Sequence, residues 1–487
     1  MPTMRYRLGG VLCAAILAAA PPLGAQHPLT LQEAISLAER QGLQAQAARQ
    51  TLVAARARNR AFGERLLPQI SLGGTVPNYS RAIVPVIQPD GSQLFTPLQQ
   101  TTSQLGVTVS QQLPFTGGSL TVSSSLQRFE MTGAQQVRTW SSAPMTVSLQ
   151  QDILRPNTMK WDARVQDLTI EISRRQYAEA REAVAQQTTG AFFDLYSAQM
   201  AEANAAHNAA VNDTLYTLNK GRFQVGKIGE NDLLQSELAL LRARTSLDGA
   251  KLDLDRALSA FRLAINVPAD TAVTIAVTSD VPKVELDTTL AVTEALRNSS
   301  AIAGLALQDV EARRAVTQAQ LATGIGASMQ ASFGFNASGS GPSSVYSNLL
   351  QAQQFSLGIQ VPLVQWGAHS ADVQAARADQ DRVAATSRAM REQTVQNARF
   401  AALSVAQAAR NLMVSAKADT VASKRFEVAY ERYVIGKIDI DNLYIAQNDK
   451  DQALQQYVQA LRGYWTAYYQ LRQLTLYDFA AGRPIRP

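Results

Sequence analysis

The sequence predicts a mainly α-helical chain that carries a small set of membrane-crossing β-strands, four to six per chain, laid out as two copies of one helix–strand–helix unit. Three observations lead there. Two very long segments are almost free of proline and glycine, short runs alternate apolar with uncharged polar residues, and a seven-residue motif recurs 210 residues further on.

The helices come first because they dominate the length. From Asp162 to Arg222 there is no proline, and Gly190 is the only glycine before Gly221. At ~1.5 Å per residue such a helix extends for about 90 Å. The segment from Ala368 to Ile435 has neither glycine nor proline. Apolar spacing in the following helices is of the seam type: Leu454, Val458, Leu461, Trp465 and Tyr468, and earlier Leu234, Leu238, Leu241 and Thr245. Alternating steps of four and three are the pattern of coiled coils. Taken alone, the helices fit a soluble coiled coil equally well.

The alternating runs separate those readings. Ile325, Ala327, Met329, Ala331, Phe333 and Phe335 alternate with Gly326, Ser328, Gln330, Ser332 and Gly334; Phe355, Leu357, Ile359 and Val361 alternate with Ser356, Gly358, Gln360 and Pro362. In the first half the apolar positions are Ile70 and Leu72, then Leu105, Val107 and Val109, then Leu120, Val122 and Leu126, then Met145, Val147 and Leu149. About ten residues suffice for a tilted strand to cross a bilayer. The polar positions are Ser, Thr, Gln and Gly with almost no charge, as on the lumen side of a membrane barrel. A soluble β-layer with one solvated face is the competing reading, and the scarcity of Lys and Glu counts against it. So few strands cannot close a useful barrel, and open edges are not tolerated in lipid. Three copies of four or six strands give a barrel of about 12 or about 18, the larger if the hairpin near Leu105–Leu126 joins it. Pro114-Phe115-Thr116-Gly117-Gly118 reads as its short turn, and Pro77 to Thr102 and Ser338 to Gln351 read as surface loops.

The repeat organises the rest. Arg222-Phe223-Gln224-Val225-Gly226-Lys227-Ile228 matches Arg432-Tyr433-Val434-Ile435-Gly436-Lys437-Ile438, and Leu233 matches Leu443 in the same register. A weaker match relates Leu31-Gln32-Glu33-Ala34 to Val292-Thr293-Glu294-Ala295. The expected organisation is a leader over 1–25, a first repeat over 26–280 with strands at about 66–154 and a long helix pair at about 160–266, and a second over 281–487 with strands at about 324–363 and a helix pair at about 368–476. Arg5 and Arg7, the apolar run from Val11 to Ala20 and the small residues up to Ala25 give the leader its secretory character. Leu12 precedes Cys13 where a lipid-anchor site would have a small residue, so lipidation is not expected.

Composition narrows the chemistry. The 487 residues are 46% hydrophobic and only 17% charged, with a net charge of +6, one Cys, and three His at 27, 207 and 369. These numbers argue against a disulfide framework, a thiolate or histidine metal site and a nucleic-acid partner. No phosphate-cradling loop and no nucleophile–base set is visible, and Glu33, Glu64 and Glu294 are scattered, so neither an enzyme nor a cofactor is expected.

With these residues in view, the chain resembles the outer membrane efflux protein family, the TolC-like channels. The resemblance covers nearly all of the sequence after the leader. It rests on the duplicated layout, the Arg-aromatic-x-x-Gly turns at Arg222…Gly226 and Arg432…Gly436, and the strand-to-helix junctions Val361-Pro362-Leu363-Val364-Gln365-Trp366-Gly367 and Gln150-Gln151-Asp152-Ile153-Leu154-Arg155-Pro156. Leu66-Leu67-Pro68-Gln69-Ile70-Ser71-Leu72 resembles the family's helix-to-strand junction, whereas its counterpart near Thr323-Gly324-Ile325 lacks the proline. The resemblance implies a homotrimer with a β-barrel in the outer membrane, continued by a long α-helical barrel in the periplasm of a Gram-negative type envelope. It also implies a periplasmic adaptor protein and an inner-membrane pump of RND, ABC or MFS type as partners, in efflux or type I secretion. Gly226, Lys227, Gly436 and Lys437 would then meet the adaptor. Some family members ring the narrow mouth with carboxylates six and nine residues after the second glycine. Here those positions are Asn442 and Ile445, and the nearby acids are Asp439, Asp441 and, in the first copy, Asp232. These residues are the candidate gate; helix capping is the plainer role for the three acids. A periplasmic coiled-coil adaptor or structural rod is the alternative, and the two matched hairpins argue against it.

Overall fold

The computed structural model of the chain describes residues 28–485 apart from 88, 133–135, 278–280, 282–286 and 323. The expected leader lies outside the described residues. The order is α1 (Leu31–Gln41), α2 (Leu43–Arg65), β1 (Gln69–Ile87), β2 (Gln93–Leu113), β3 (Gly118–Thr132), β4 (Val137–Ile153), α3 (Thr158–Gln224), α4 (Glu230–Ile265), α5 (Thr288–Asn298), α6 (Ser300–Ala322), β5 (Gly326–Gly339), β6 (Leu350–Gln360), α7 (Ala368–Val434), α8 (Ile440–Thr475), β7 (Tyr477–Asp478) and β8 (Arg483–Pro484). Helix lengths come in pairs: 11 residues for α1 and α5, 23 for α2 and α6, 67 for α3 and α7, and 36 for α4 and α8. Because α1 and α5 begin at Leu31 and Thr288, their buried pairs Ala34/Ala38 and Ala291/Ala295 align, and the expected match of Leu31–Ala34 to Val292–Ala295 falls one helical turn away.

Two compact units are formed, one of Met1–Ala38 and Ala191–Val281, the other of Glu39–Gly190 and Pro282–Pro487. In the first, Thr30 and Glu33 make a reciprocal capping box that starts α1: the Thr30 N–H donates to Glu33 Oε2 at 2.8 Å, and the Glu33 N–H to Thr30 Oγ1 at 3.3 Å. The chain before α1 is tied by Leu29, whose N–H donates to the Thr274 carbonyl at 2.8 Å. The core is aromatic, with Phe192 edge-on to Phe193 and Phe261 at centroid distances of 5.4 and 5.9 Å. Arg244 on α4 pairs with Asp213 on α3 at 2.9 Å. The expected seam on α4 does not pack inside the chain. Leu234, Leu238, Leu241 and Leu252 are exposed, and the buried α4 side chains are Ser236, Leu240, Phe261 and Ile265. Hydrophobic spacing identifies a seam but not which neighbour fills it.

The second unit holds the sheet and the α7–α8 pair. On α7, Ala398, Val405, Leu412, Phe426 and Tyr433 are buried and recur at multiples of seven, and the seam on α8 holds Val458, Leu461, Trp465 and Tyr468 as the sequence predicts. A seven-residue repeat keeps one stripe against a neighbouring helix along the whole length. Asp419 falls in the α7 stripe, and burial raises its carboxyl despite Lys450 nearby. Arg425 pairs with Asp449, and Lys450 lies 4.9 Å from the Phe426 ring centroid. The start of α6 is capped from α3: Glu179 accepts from the Ser300 N–H at 2.7 Å and from its hydroxyl at 2.6 Å.

The chain's end is held by an ion network. Arg472 on α8 donates to both oxygens of Glu182 at 2.8 and 3.1 Å and to Asp478 at 2.8 Å, and Glu182 is 2% exposed. Burial works against the Arg472 charge, but the two carboxylates more than offset it and hold its pKa above the ordinary arginine value. Burial would likewise raise Asp478, but the Ala481 and Ala480 N–H groups, Arg472 and Tyr468 hold its carboxyl below the usual range. Arg181 and Glu39 pair at 2.9 Å, and with Arg483 they line the same cavity of about 490 Å³. Breaking one side of a buried pair leaves an uncompensated charge. Glu182→Ala is therefore expected to destabilise the unit by about 3 kcal/mol, read as a lower urea midpoint; an unchanged midpoint contradicts this role.

Candidate functional site

The sheet is six-stranded, antiparallel throughout, in the order β1-β2-β3-β4-β5-β6. The hairpin near Leu105–Leu126 is thus part of it. Its turn is the expected one: the Gly117 N–H donates to the Leu113 carbonyl at 2.8 Å, with Gly117 in the left-handed region at φ 81°. The loop expected over Ser338–Gln351 is found between β5 and β6, with a 3-10 turn at Ser344–Tyr346. The loop expected over Pro77–Thr102 is not. Those residues are the upper halves of β1 and β2, paired from Asn78↔Thr102 to Ile87↔Gln93. The prolines there sit where strand pairing tolerates them. Pro77 and Pro85 lie on β1, an edge strand, and Pro97 lies beyond Gln99, where β2 pairing with β3 stops. Proline is tolerated where no second neighbour needs its N–H.

Register sorts the side chains. Directly paired residues share a face, so Ile70, Val109, Val122, Val147 and Phe333 form one row across five strands. Leu120, Leu149, Ala331 and Phe355 form another, and Ile153, Ala327 and Ile359 a third. The row next to the first, on the opposite face, is Ser71, Thr108, Ser123, Thr146 and Gly334; beside it run Thr121, Ser148, Ser332 and Gln354. Bulges between Thr75/Asn78, Ser123/Ser125 and Ser142/Met145 shift the local register without mixing the faces. On the apolar face Ile70, Leu72, Phe355 and Ile359 are exposed to 66–75%. On β5 the apolar face runs from Ala327 to Phe335. At ~3.3 Å per residue that is about 26 Å along a strand, close to the height of a barrel's lipid-facing band.

Exposed aromatics flank the band at its helix-proximal end. Phe115 in the β2–β3 turn is 99% exposed and Trp366 before α7 is 96% exposed. Such rings sit at headgroup depth in membrane proteins. No helix among the described residues is long and apolar enough to cross a membrane. Among the described residues no group of His, Cys, Asp or Glu could hold a metal ion.

The helix turns are a second candidate site. In both copies the glycine sits at the C′ position of a Schellman motif. The Gly226 N–H donates to the Phe223 carbonyl and the Lys227 N–H to the Arg222 carbonyl, each at 2.9 Å; Gly436 and Lys437 donate to the Tyr433 and Arg432 carbonyls at 2.9 and 2.8 Å. Gly226 has φ 70° and Gly436 φ 73°, and a Cβ at either would touch nothing within 4 Å. All four residues, Gly226, Lys227, Gly436 and Lys437, are exposed. Asp439 occupies the N-cap position of α8, but its side chain accepts no capping hydrogen bond. Asp441 and Asn442 lie exposed in the first turn of α8, and Asp232 lies half-buried in the first turn of α4. Behind Asp441, burial first, then Tyr433 and Asp441, push the Tyr444 hydroxyl up to about 12. The Asp232 group and the Asp439–Asn442 group belong to different units.

Sequence reasoning missed two features. One is an exposed stripe on α7 at every seventh residue, Phe400, Gln407, Val414, Val421 and Val428, continued by its C-cap Ile435. The other is a set of charges on the apolar face of the sheet, Arg81, Arg128, Glu130 and Arg138. Counting in sevens would have found the first; the bulges hid the second.

No protein-family model matches the chain, and no curated protein sequence matches it. Among solved structures, it is similar to the CmeC outer membrane channel of Campylobacter jejuni, with a TM-score of 0.66 at 15% identity, covering 99% of this chain and 95% of that one. It is similar to the outer membrane protein VceC of Vibrio cholerae, with a TM-score of 0.64 at 13% identity over 94% and 97%. It is also similar to the open state of the MtrE outer membrane channel of Neisseria gonorrhoeae, with a TM-score of 0.62 at 14% identity over 94% and 89%. The chain has the TolC-like channel fold that the sequence resemblance implied.

Gly436→Ala is expected to cost about 1–2 kcal/mol through backbone strain alone. Gly463→Ala, inside α8 with open space around it, is expected to gain up to about 1 kcal/mol. Opposite shifts in melting temperature support the left-handed turn, and equal shifts contradict it.

Proposed function

We propose that this chain is the protomer of a homotrimeric outer-membrane exit duct, a member of the TolC-like outer membrane efflux protein family. The observation that carries the reading is a sheet with apolar rows on one face, rows of Ser, Thr and Gln on the other, and two edges left unpaired within the chain. In lipid, both edges must be paired. Joining β6 of one copy to β1 of the next closes a wall of about 18 strands, wide enough for an aqueous lumen. Ser, Thr and Gln line that lumen, and the apolar rows meet the membrane. The equal helix lengths support an internal duplication. The exposed stripes on α4 and α7 supply the inter-copy seams of an α-helical barrel in the periplasm.

In this arrangement the Gly226–Lys227 and Gly436–Lys437 turns receive a periplasmic adaptor, behind which stands an inner-membrane pump of RND, ABC or MFS type, in efflux or type I secretion. Asp439, Asp441 and Asn442 at the start of α8, and Asp232 at the start of α4, are the candidate gate residues, whose carboxylates in three copies favour cations.

Val421→Glu with Val428→Glu places like charges in the proposed seam. Heat-resistant trimer bands are expected to vanish from outer-membrane fractions that retain them for the unaltered chain; persistence of the bands sinks the trimer seam. Asp439→Asn with Asp441→Asn is expected to reduce the single-channel preference for cations several-fold at low salt. Unchanged selectivity would leave these carboxylates no role at the pore.

A further inference from the structure

Charge is almost absent from the six strands. Only five charged residues fall within them: Arg81, Arg128, Glu130, Arg138 and Asp152. Four of the five share the apolar face: Arg128, Glu130 and Arg138 follow its last apolar residue on β3, Leu126, at the end remote from the helices, and Arg81 lies level with them on β1, between Tyr79 and Ile83. Register places them there. Arg128 is paired with Ser103 and Trp140, Glu130 with Thr101 and Arg138, and Thr101 with Tyr79; Arg81 is one step further along β1, opposite Gln99. On β3, Arg128 follows Leu126, the last apolar residue of the band on that face.

We infer that this patch binds the phosphate groups of an outer-leaflet phosphorylated glycolipid, whose acyl chains lie along the apolar rows. The inference rests on the membrane reading above. Charge complementarity commits it to an anion. Arg128 Nη2 and Arg138 Nη2 approach the two Glu130 oxygens at 2.7 and 2.6 Å, so one carboxylate holds two guanidinium groups in place and neutralises one. Arg81 is exposed and makes no ion pair among the described residues. The Nε of Arg128 has no hydrogen-bond partner. The net excess is positive, on the side of the sheet where headgroups begin. Guanidinium groups suit phosphate because their planar forks match two oxygens at once. Trp140 supports the arrangement: the Arg128 guanidinium lies 5.8 Å from its ring centroid. An ion cluster serving only strand pairing would need one arginine per carboxylate.

The test uses the full-length chain, purified as found in the outer membrane, and native mass spectrometry with lipid A, dephosphorylated lipid A and inorganic phosphate as probes. The unaltered protein is expected to retain lipid A, but neither of the other two. Because Glu130 alone would be an orphan carboxylate, the variant is Arg81→Gln, Arg128→Gln, Glu130→Gln and Arg138→Gln together. It is expected to bind lipid A at least about tenfold more weakly, whereas Glu130→Gln alone binds at least as tightly as the unaltered chain. Equal lipid A retention by the four-fold variant, or retention of dephosphorylated lipid A as strong as that of lipid A, overturns the inference. So does phosphate binding as tight as lipid A binding. If instead the unaltered chain is missing from outer-membrane fractions, the membrane reading itself has failed.

Discussion

A β-sheet leaves hydrogen-bonding groups on its two outer strands, and everything distinctive about this chain follows from where those groups must be satisfied. β1 and β6 are the free edges of a sheet whose two faces are chemically opposite. Water could satisfy the edges but would meet a face built of Ile70, Val109, Val122, Val147 and Phe333. Lipid could cover that face but would strand the edges. The proposed closed wall in a membrane, built from several copies, meets both demands at once.

The helices obey the same logic in another geometry. Along α7, one stripe of residues at sevenfold spacing is buried against α8, and a second at the same spacing faces outward. α8, α6 and α5 pack on α7 within the chain, and the outward stripe is left exposed. The length of α7, 67 residues of mostly Ala, Gln and charged side chains, is sustained by packing against α8, α6 and α5. Its end is set by backbone geometry. A left-handed glycine with two reversed hydrogen bonds stops α7 and turns the chain into α8, and the same device operates between α3 and α4. The Glu182–Arg472–Asp478 network secures the opposite end of α8.

Much of this was legible in residue spacing. The glycine turns, the long helices and the faces of β3 to β6 follow from local rules of period and backbone conformation, which act within a few residues. What escaped was nonlocal. Pro85 and Pro97 look like loop residues until strand order shows that their N–H positions face no partner. Leu234, Leu238 and Leu241 announce a seam, yet nothing local says that it opens outward. Arg128 and Arg138 form a cluster with Glu130 only through strand register, which places them on one face. The candidate turn residues were found by repetition, whereas their roles depend on partners outside the chain.

The most direct test is the alternation itself. Single cysteines at Val122 and Ser123 on β3, and at Val147 and Thr146 on β4, can be challenged in intact outer membranes with a water-soluble maleimide. Ser123→Cys and Thr146→Cys are expected to react, and Val122→Cys and Val147→Cys to remain shielded until detergent is added. Equal labelling at neighbouring positions, or labelling of the valine sites alone, would contradict a wall with lipid on one side and water on the other.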